Sequence, residues 1–305
     1  LPFLADVSGV SALMLLADLL NDTGQLALAV SVVERVLAHN IDAPGARERH
    51  HRWRRQLDPR AIGPQPSADV TVAVPAMHES PFRILREVAR GGAGTIYEAA
   101  DDALGRKVAL KVYHRAQADR NQLLREARTA VQLAGVGIIR VFDVHPEQGW
   151  IAFEWLERGS IADLIARGDV APLLPAQPWV MALARALGQV HAAGFVHADV
   201  KPSNVLLRDK GDVVLADLGI AAQAGADSLG GSAGFMSPER LAGRPLQFTD
   251  DVYGFGRVLG DTLVHLPQGN ERGRLGRLAA LCVGPPELRP WDGRALASLL
   301  DRQVP

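Results

Sequence analysis

A change of hydrophobic rhythm close to Gly159 constrains this chain more than any other feature. From Phe82 onward, short apolar runs of strand type follow one another: FRILREVA, TIYEAAD, KVALKVY, IRVFDV and WIAFEW. Beyond Gly159 the apolar residues recur mainly at helical spacing. Strands gathered first and helices afterwards predict an α+β domain of two unequal parts. The expected division is a small, mainly β part over 82–156 and a larger, mainly α part over 157–305.

The residues in front of Phe82 read differently. Leu13, Leu16, Ala17 and Leu20 keep helical spacing, Asn21-Asp22-Thr23-Gly24 interrupts it, and Leu26, Ala29, Val30, Val33 and Leu37 resume it. The pattern predicts a helical hairpin over 11–39, with Ala17 and Ala29 small enough for close approach. A third helix is expected from Asp42 as N-cap, with Pro44 in its first turn, through the basic stretch Arg47–Arg55. The segment resembles a tetratricopeptide repeat, although Leu and Val fill the usual aromatic positions, so a generic helical hairpin is an equal reading. A single hairpin cannot bury its apolar face alone. Residues 11–57 are therefore expected to dock on the rest of the chain, on a partner protein, or on further repeats. The run RERHHRWRR reads as a solvated helix face rather than a nucleic-acid site. Residues 1–57 thus form a helical module, and the Pro-rich, aperiodic stretch 58–81 a linker.

Composition narrows the setting. At 305 residues the chain has room for one large domain and a small one. Its formal net charge of -1 gives no bulk attraction to nucleic acid or an anionic membrane. The one cysteine, Cys282, excludes an internal disulfide and fits a reducing compartment. No apolar run approaches the ~20 residues that span a bilayer, so a cytoplasmic location is expected. The chain opens at Leu1 rather than methionine, which suggests a piece of a longer protein. It carries 29 Arg but only four Lys: Lys107, Lys111, Lys201 and Lys210. A retained lysine in such a chain marks a candidate place for a compact ammonium.

The chemistry-bearing strings come in a fixed order: RGGAGTIYEA, VALKV, REA, HADVKPSN, DLG, SPE and DDVYGFG. Any one of them is weak alone. In this order and approximate spacing, over about residues 82–301, they resemble the Hanks-type Ser/Thr protein kinases of bacterial style. The resemblance implies a bilobal kinase fold, ATP with Mg²⁺ (or Mn²⁺) as cofactors, and protein substrates with Ser or Thr acceptors, the chain's own serines included.

It also implies roles, residue by residue. Ala89, Gly91, Gly92 and Gly94 form the loop over the phosphates, where a glycine lets backbone amides approach without a Cβ in the way. Lys111 holds the α- and β-phosphates, and Glu126 is its ion-pair partner. Ile96, Ala109 and Leu206 sandwich adenine, Phe153 is the gatekeeper, and Glu154 to Leu156 form the hinge. Asp199 accepts the proton of the substrate hydroxyl, and Lys201 steadies the γ-phosphate. Asn204 and Asp217 supply oxygen ligands to Mg²⁺. Glu239 and Arg289 form a bracing ion pair, Asp251 opens a central helix and anchors the catalytic-loop backbone, and His197 packs behind that loop.

Departures from the pattern matter as well. Ala89 replaces a glycine, and Leu218 replaces the middle aromatic of DFG. Only about forty residues separate Asp251 from Arg289, which predicts a short or missing docking helix. Ala198 replaces the arginine beside the catalytic aspartate, so a phosphate on the segment between Asp217 and Glu239 is expected to lack its usual cation; Arg208 and Arg240 are substitutes in charge, but nothing in the sequence aims them at the segment. Two function classes follow: an active Ser/Thr kinase, or a silent kinase fold that serves as a nucleotide-binding scaffold. The second would ordinarily lack a lysine, a catalytic aspartate or a metal ligand, and this sequence lacks none of them.

Overall fold

Five antiparallel strands in the order β1-β2-β3-β5-β4 carry the first half of the site: β1 (Arg83–Arg90), β2 (Gly94–Asp101), β3 (Arg106–Tyr113), β4 (Val141–His145) and β5 (Trp150–Glu154). This computed structural model describes residues 7–37, 43–57, 80–115, 119–208, 211–228, 230–232 and 234–302. It divides into two units, 1–134 with 140–155 and 135–139 with 156–305. The first therefore holds the front helices together with the sheet.

Pleating decides what each sheet face does, because successive side chains point to opposite sides. Tyr97, Ala99, Val108, Leu110, Val112, Trp150 and Ala152 share one face and pack into a buried cluster with Phe82. Burying each large side chain there contributes about 1.5–3 kcal/mol. The other face carries Ile96, Ala109, Lys111 and Phe153, set by the pairings Ile96 with Lys111 and Ala109 with Phe153. A one-residue slip would exchange the two sets, so the apolar face fixes the register.

The front helices are α1 (Val7–Asp22), α2 (Leu26–Leu37) and α3 (Ala46–Leu57). Met14, Ala17, Ala29, Val30, Val33, Val36 and Trp53 make their common core. The expected stripe on α1 is shifted: Leu16 is exposed and Met14 is buried in its stead. Helix α3 begins at Ala46, after a turn at Pro44-Gly45, so Pro44 precedes the helix rather than entering it. Asp42 and nearly all of the expected linker lie outside the described residues.

The basic stretch also departs from expectation. Arg52 and Arg55 are exposed, but His50 and Arg54 are buried. The cause is a set of carboxylates distant in sequence. Arg54 donates to both Asp101 oxygens at 2.7 and 2.9 Å, and its guanidinium lies 4.7 Å from the Phe82 ring centroid. Arg106 donates to Glu34 of α2 at 2.7 Å and to Asp101 at 3.0 Å. Asp101 and Arg106 sit on the sheet face opposite Lys111, so α3 docks on the back of the sheet. Docking on the rest of the chain, one of the three expected outcomes for residues 11–57, is thus realised.

In the second unit the short helix α5 (Ile161–Ala166) is followed by α6 (Ala176–Ala192), the buried axis, with Trp179, Leu183 and Leu187 fully enclosed. Residues 135–139 join this unit because the Ile139 N–H donates to the Leu215 carbonyl and the Leu215 N–H to Gly137, at 3.0 and 2.9 Å. Helix α8 (Phe248–Leu263) is capped by a reciprocal Gln247–Asp250 pair, so it begins three residues before Asp251. Helix α9 (Asn270–Cys282) follows after a short turn, and α10 (Gly293–Arg302) after the Arg289 region. A Cβ on Gly256 of α8 would meet the Cys282 Cβ at 2.6 Å, so only glycine permits this crossing. Burial pushes the Cys282 thiol up to about 12, out of reach of thiolate chemistry. Among the described residues, no helix is long and apolar enough to cross a membrane.

Candidate active site

The sheet unit supplies a fixed ammonium. Lys111, in the middle of β3, donates to both oxygens of Glu126 at 2.7 and 2.9 Å. Glu126 lies on α4 (Arg120–Gln132) and is almost wholly buried, and the Tyr113 hydroxyl donates to the same carboxylate. Tyr113 is a part of this clamp that sequence reasoning missed; it stands two residues after Lys111 in β3. Breaking such a buried pair at one end strands a charge, which is why Lys111 is held so firmly. Ile96, Ala109 and Phe153 share its face of the sheet, and Ala89 pairs with Ile96 at the sheet edge. The Gly91 N–H donates to the Gly94 carbonyl at 2.9 Å and closes the turn. A Cβ at Gly94 would meet the Val112 carbonyl oxygen at 2.5 Å, whereas Gly92 faces open space. Gly94 is thus required by packing, and Gly92 is unobstructed for a ligand. Glu154 ends β5 and accepts from the Arg140 N–H at 3.0 Å.

In the second unit, Asp251 is the organiser. Its carboxylate accepts from the backbone N–H groups of His197 and Ala198 at 2.7 and 2.8 Å, and from the His191 ring at 3.0 Å. Burial alone would raise the Asp251 carboxyl, but the His191 and backbone hydrogen bonds outweigh it and hold it below the usual carboxylate range. His191 Nδ1 accepts from the Gly293 N–H at 2.9 Å, which puts the ring proton on Nε2, toward Asp251. His197 accepts from the Asp199 N–H and directs Nε2 to the Ala216 carbonyl, as expected of a packing residue.

This frame brings four expected residues together. Asp199 receives the Lys201 ammonium at 2.6 Å and the Asn204 amide at 3.0 Å. The Ala216 N–H donates to the Asn204 carbonyl at 2.9 Å, which sets Asp217 beside Asn204 in the chain fold. Asp217 and Ala198 are the two non-glycine residues with positive φ among those described, at 60° and 69°. A left-handed alanine costs about 1–2 kcal/mol and persists only where its surroundings over-determine it. Here Asp251 fixes the Ala198 N–H and Arg240 fixes its carbonyl. Leu156 is buried and Leu206 half-buried in the same unit.

The segment after Asp217 corrects one expectation. The Ser232 N–H donates to Asp199 Oδ1 at 3.1 Å, and Lys201 donates to Ser232 Oγ at 2.7 Å. Arg240, in the short helix α7 (Pro238–Leu241), reaches Ser228 Oγ at 3.0 Å as well as the Gly230 and Ala198 carbonyls. A cation is therefore aimed at Ser228 despite Ala198, from a residue 42 positions beyond Ala198 and 12 beyond Ser228. Spacing gave no hint of it, because the reach depends on where α7 folds back. Glu239 and Arg289 pair at 3.0 Å as expected; burial would raise the Glu239 carboxyl, but Arg289 holds it low.

Comparison with known proteins agrees with these constellations. Residues 82–272 match the family model described as Protein kinase domain. The chain is 34% identical over 213 residues to serine/threonine-protein kinase PknL of Mycobacterium tuberculosis, covering 63% of this chain and 51% of that protein. Over 195 residues it is 32% identical to the probable serine/threonine-protein kinase pknA2 of Bifidobacterium longum, covering 59% and 26%. Over 197 residues it is 34% identical to the DNA damage-responsive serine/threonine-protein kinase RqkA of Deinococcus radiodurans, covering 58% and 29%. The chain thus spans about half or less of the length of these relatives. By the match over residues 82–272, together with the order of its motifs, this chain belongs to the protein kinase domain family.

Proposed function

We propose that the chain transfers the γ-phosphoryl group of ATP to Ser and Thr hydroxyls of proteins, its own segment included. The arrangement of Asp199, Lys201 and Asn204 beside Ser232 carries this reading. Lys111, held by Glu126, binds the α- and β-phosphates, with Gly91, Gly92 and Gly94 leaving room for backbone amides. Ile96, Ala109, Phe153, Glu154, Leu156 and Leu206 receive the adenine ring. The Asn204 amide and Asp217 carboxylate are hard oxygen donors of the kind Mg²⁺ takes, so the residues fit that ion. Mg²⁺, when bound, neutralises charge on the phosphates. Asp199 accepts the proton of the acceptor hydroxyl, whose oxygen forms the new bond to Pγ as the bond from Pγ to the ADP oxygen breaks. Lys201 offsets charge on the transferring group. The Ser/Thr kinase names of the relatives and the Lys201-Pro202-Ser203-Asn204 loop support the choice of acceptor.

Residues 11–57 are proposed to recruit a protein partner, since Leu15, Leu19 and Leu28 stand exposed on the hairpin. A cytoplasmic setting completes the proposal, supported by the lone cysteine. Labelled ATP, Mg²⁺ and a generic basic protein, run beside an Asp199→Asn control, test it. Transfer to Ser and Thr that vanishes in the control is expected. No transfer by the parent chain under several metals and acceptors would leave the silent-scaffold alternative.

A further inference from the structure

On the back of the sheet, one buried carboxylate faces two imidazole nitrogens. Asp143 of β4 is 3% exposed. Arg54 and Arg106 direct their hydrogen bonds to Glu34 and Asp101, and Arg54 reaches Asp143 only through a Coulombic attraction. What faces Asp143 Oδ1, apart from the neighbouring Val144 N–H, is His50 Nδ1 at 3.3 Å and His51 Nε2 at 3.5 Å. Both nitrogens are buried and within ion-pair distance of Asp143, yet neither meets it with well-aligned hydrogen-bond geometry. A buried carboxylate needs a cation, and two imidazole nitrogens aimed at it without hydrogen-bond geometry call for one between them. The three donor atoms lie within 4.8 Å of one another. A tetrahedral zinc with bonds of ~2.0–2.1 Å holds its ligands about 3.4 Å apart, close to the two separations from Asp143. Glu34 adds the outer support that metal-bound histidines have: it lies 3.1 Å from His50 Nε2, so a ring that keeps its proton there presents Nδ1 to the metal. Beside the cluster opens a cavity of ≈ 90 Å³ lined by His51, Arg54, Asp143, His145, Gln148 and Trp150, from which water can complete the set.

We propose that His50, His51 and Asp143 bind a zinc-class divalent cation that clamps helix α3 to strand β4. The nitrogen-rich set selects zinc over magnesium or calcium, which take oxygen ligands. The site lies on the sheet face opposite Lys111, so it is separate from phosphate chemistry. The competing cation is a proton: burial would lower the His50 ring, but Asp143 and Glu34 hold it up to about 9. The experiment uses the untagged full chain, stripped with chelator and dialysed against zinc with excess Mg²⁺ present. About one zinc per chain is expected by elemental analysis, and Co²⁺ in its place should give the intense visible bands of a four-coordinate site. His51→Gln should weaken zinc binding at least tenfold while the metal-free variant melts within a few degrees of the metal-free parent. Asp143→Asn should likewise abolish the cobalt bands. Substoichiometric zinc in the parent, or equal affinity in His51→Gln, would overturn the proposal and leave the protonated histidine as the cation.

Discussion

Two clusters of buried charge organise this molecule, and they are built on opposite plans. Around Asp251 and Asp199, most of the groups come from one run of eight residues, His197 to Asn204, folded over a single helix. Backbone N–H groups do much of the neutralising, and the network ends in side chains with reactive ends. Behind the sheet, the partners are far apart in sequence: Glu34 and Arg106 lie 72 residues apart, Arg54 and Asp101 47. Side-chain ions neutralise one another there, and the result is docking. Local plans favour reproducible geometry at a few atoms, whereas long-range plans join elements that would otherwise part.

The largest effect should separate the two clusters by activity. Asp199→Asn or Lys111→Met is expected to lower phosphoryl transfer at least a thousandfold with the circular dichroism spectrum unchanged. Arg54→Met, in the other cluster, should leave transfer per folded molecule within about twofold. A comparable loss in Arg54→Met, measured at a temperature where it is folded, would join the two clusters functionally and break the comparison.

Stability reverses the order. Arg54→Met removes the bidentate partner of the buried Asp101 carboxylate and leaves it Arg106 at 3.0 Å, so the expected cost is about 3 kcal/mol, the low end for a broken buried pair. Chemical denaturation should show that loss, and Arg54→Met with Asp101→Leu should recover much of it. Failure of the double variant to recover would show that Arg54 acts through its packing on Phe82 instead.

The same contrast explains which features are legible in the sequence. The catalytic loop, the glycine turn, Lys111 and both metal-ligand candidates stand out because phosphate chemistry fixes residue types at short spacings. Glu126 and Arg289 needed the family pattern, and the structure sets them against Lys111 and Glu239 respectively. The back-face network is not legible. RERHHRWRR looks like a solvated face, and nothing in it names Glu34, Asp101 and Asp143 as its partners. A side chain's burial depends on what docks against it, and docking of distant segments leaves no periodic trace. The strand-then-helix rhythm matches the order of the elements, yet residues 135–139 group with the helical unit through backbone bonds of Gly137 and Ile139 to Leu215 that no side-chain pattern encodes.

A smaller effect concerns acid. The folded Asp251 carboxyl is depressed below its unfolded value, so its contribution to stability is present above about pH 4 and is lost as pH falls through the folded value. Asp251→Asn keeps the shape but not the charge. It is expected to cost about 1–3 kcal/mol at pH 7 and to flatten the acid limb of the stability curve. An equally steep acid limb in Asp251→Asn would assign acid sensitivity to the back-face carboxylates.

The smallest effect is expected at Ser228, where the catalytic cluster borrows the plan of the other. Arg240 is distant from the catalytic loop in sequence, yet its guanidinium spans the Ala198 carbonyl and Ser228 Oγ. A phosphate on Ser228 would bring nearly two negative charges to a cation already in place, and the new charge-assisted bonds would tighten the segment that carries Ser232. Because the unmodified hydroxyl already holds Arg240, the gain is limited to the difference between the two states. We expect about 1 kcal/mol, a rate increase of roughly fivefold. The comparison is between phosphatase-treated and autophosphorylated parent chains, repeated in Ser228→Ala and in Arg240→Lys. Ser228→Ala should lose the increase, and Arg240→Lys should retain only part of it, since an ammonium cannot span carbonyl and phosphate as a planar fork does. An increase of the same size in Arg240→Lys would place the phosphate on another cation and return Arg240 to the role of bracing the Ala198 turn.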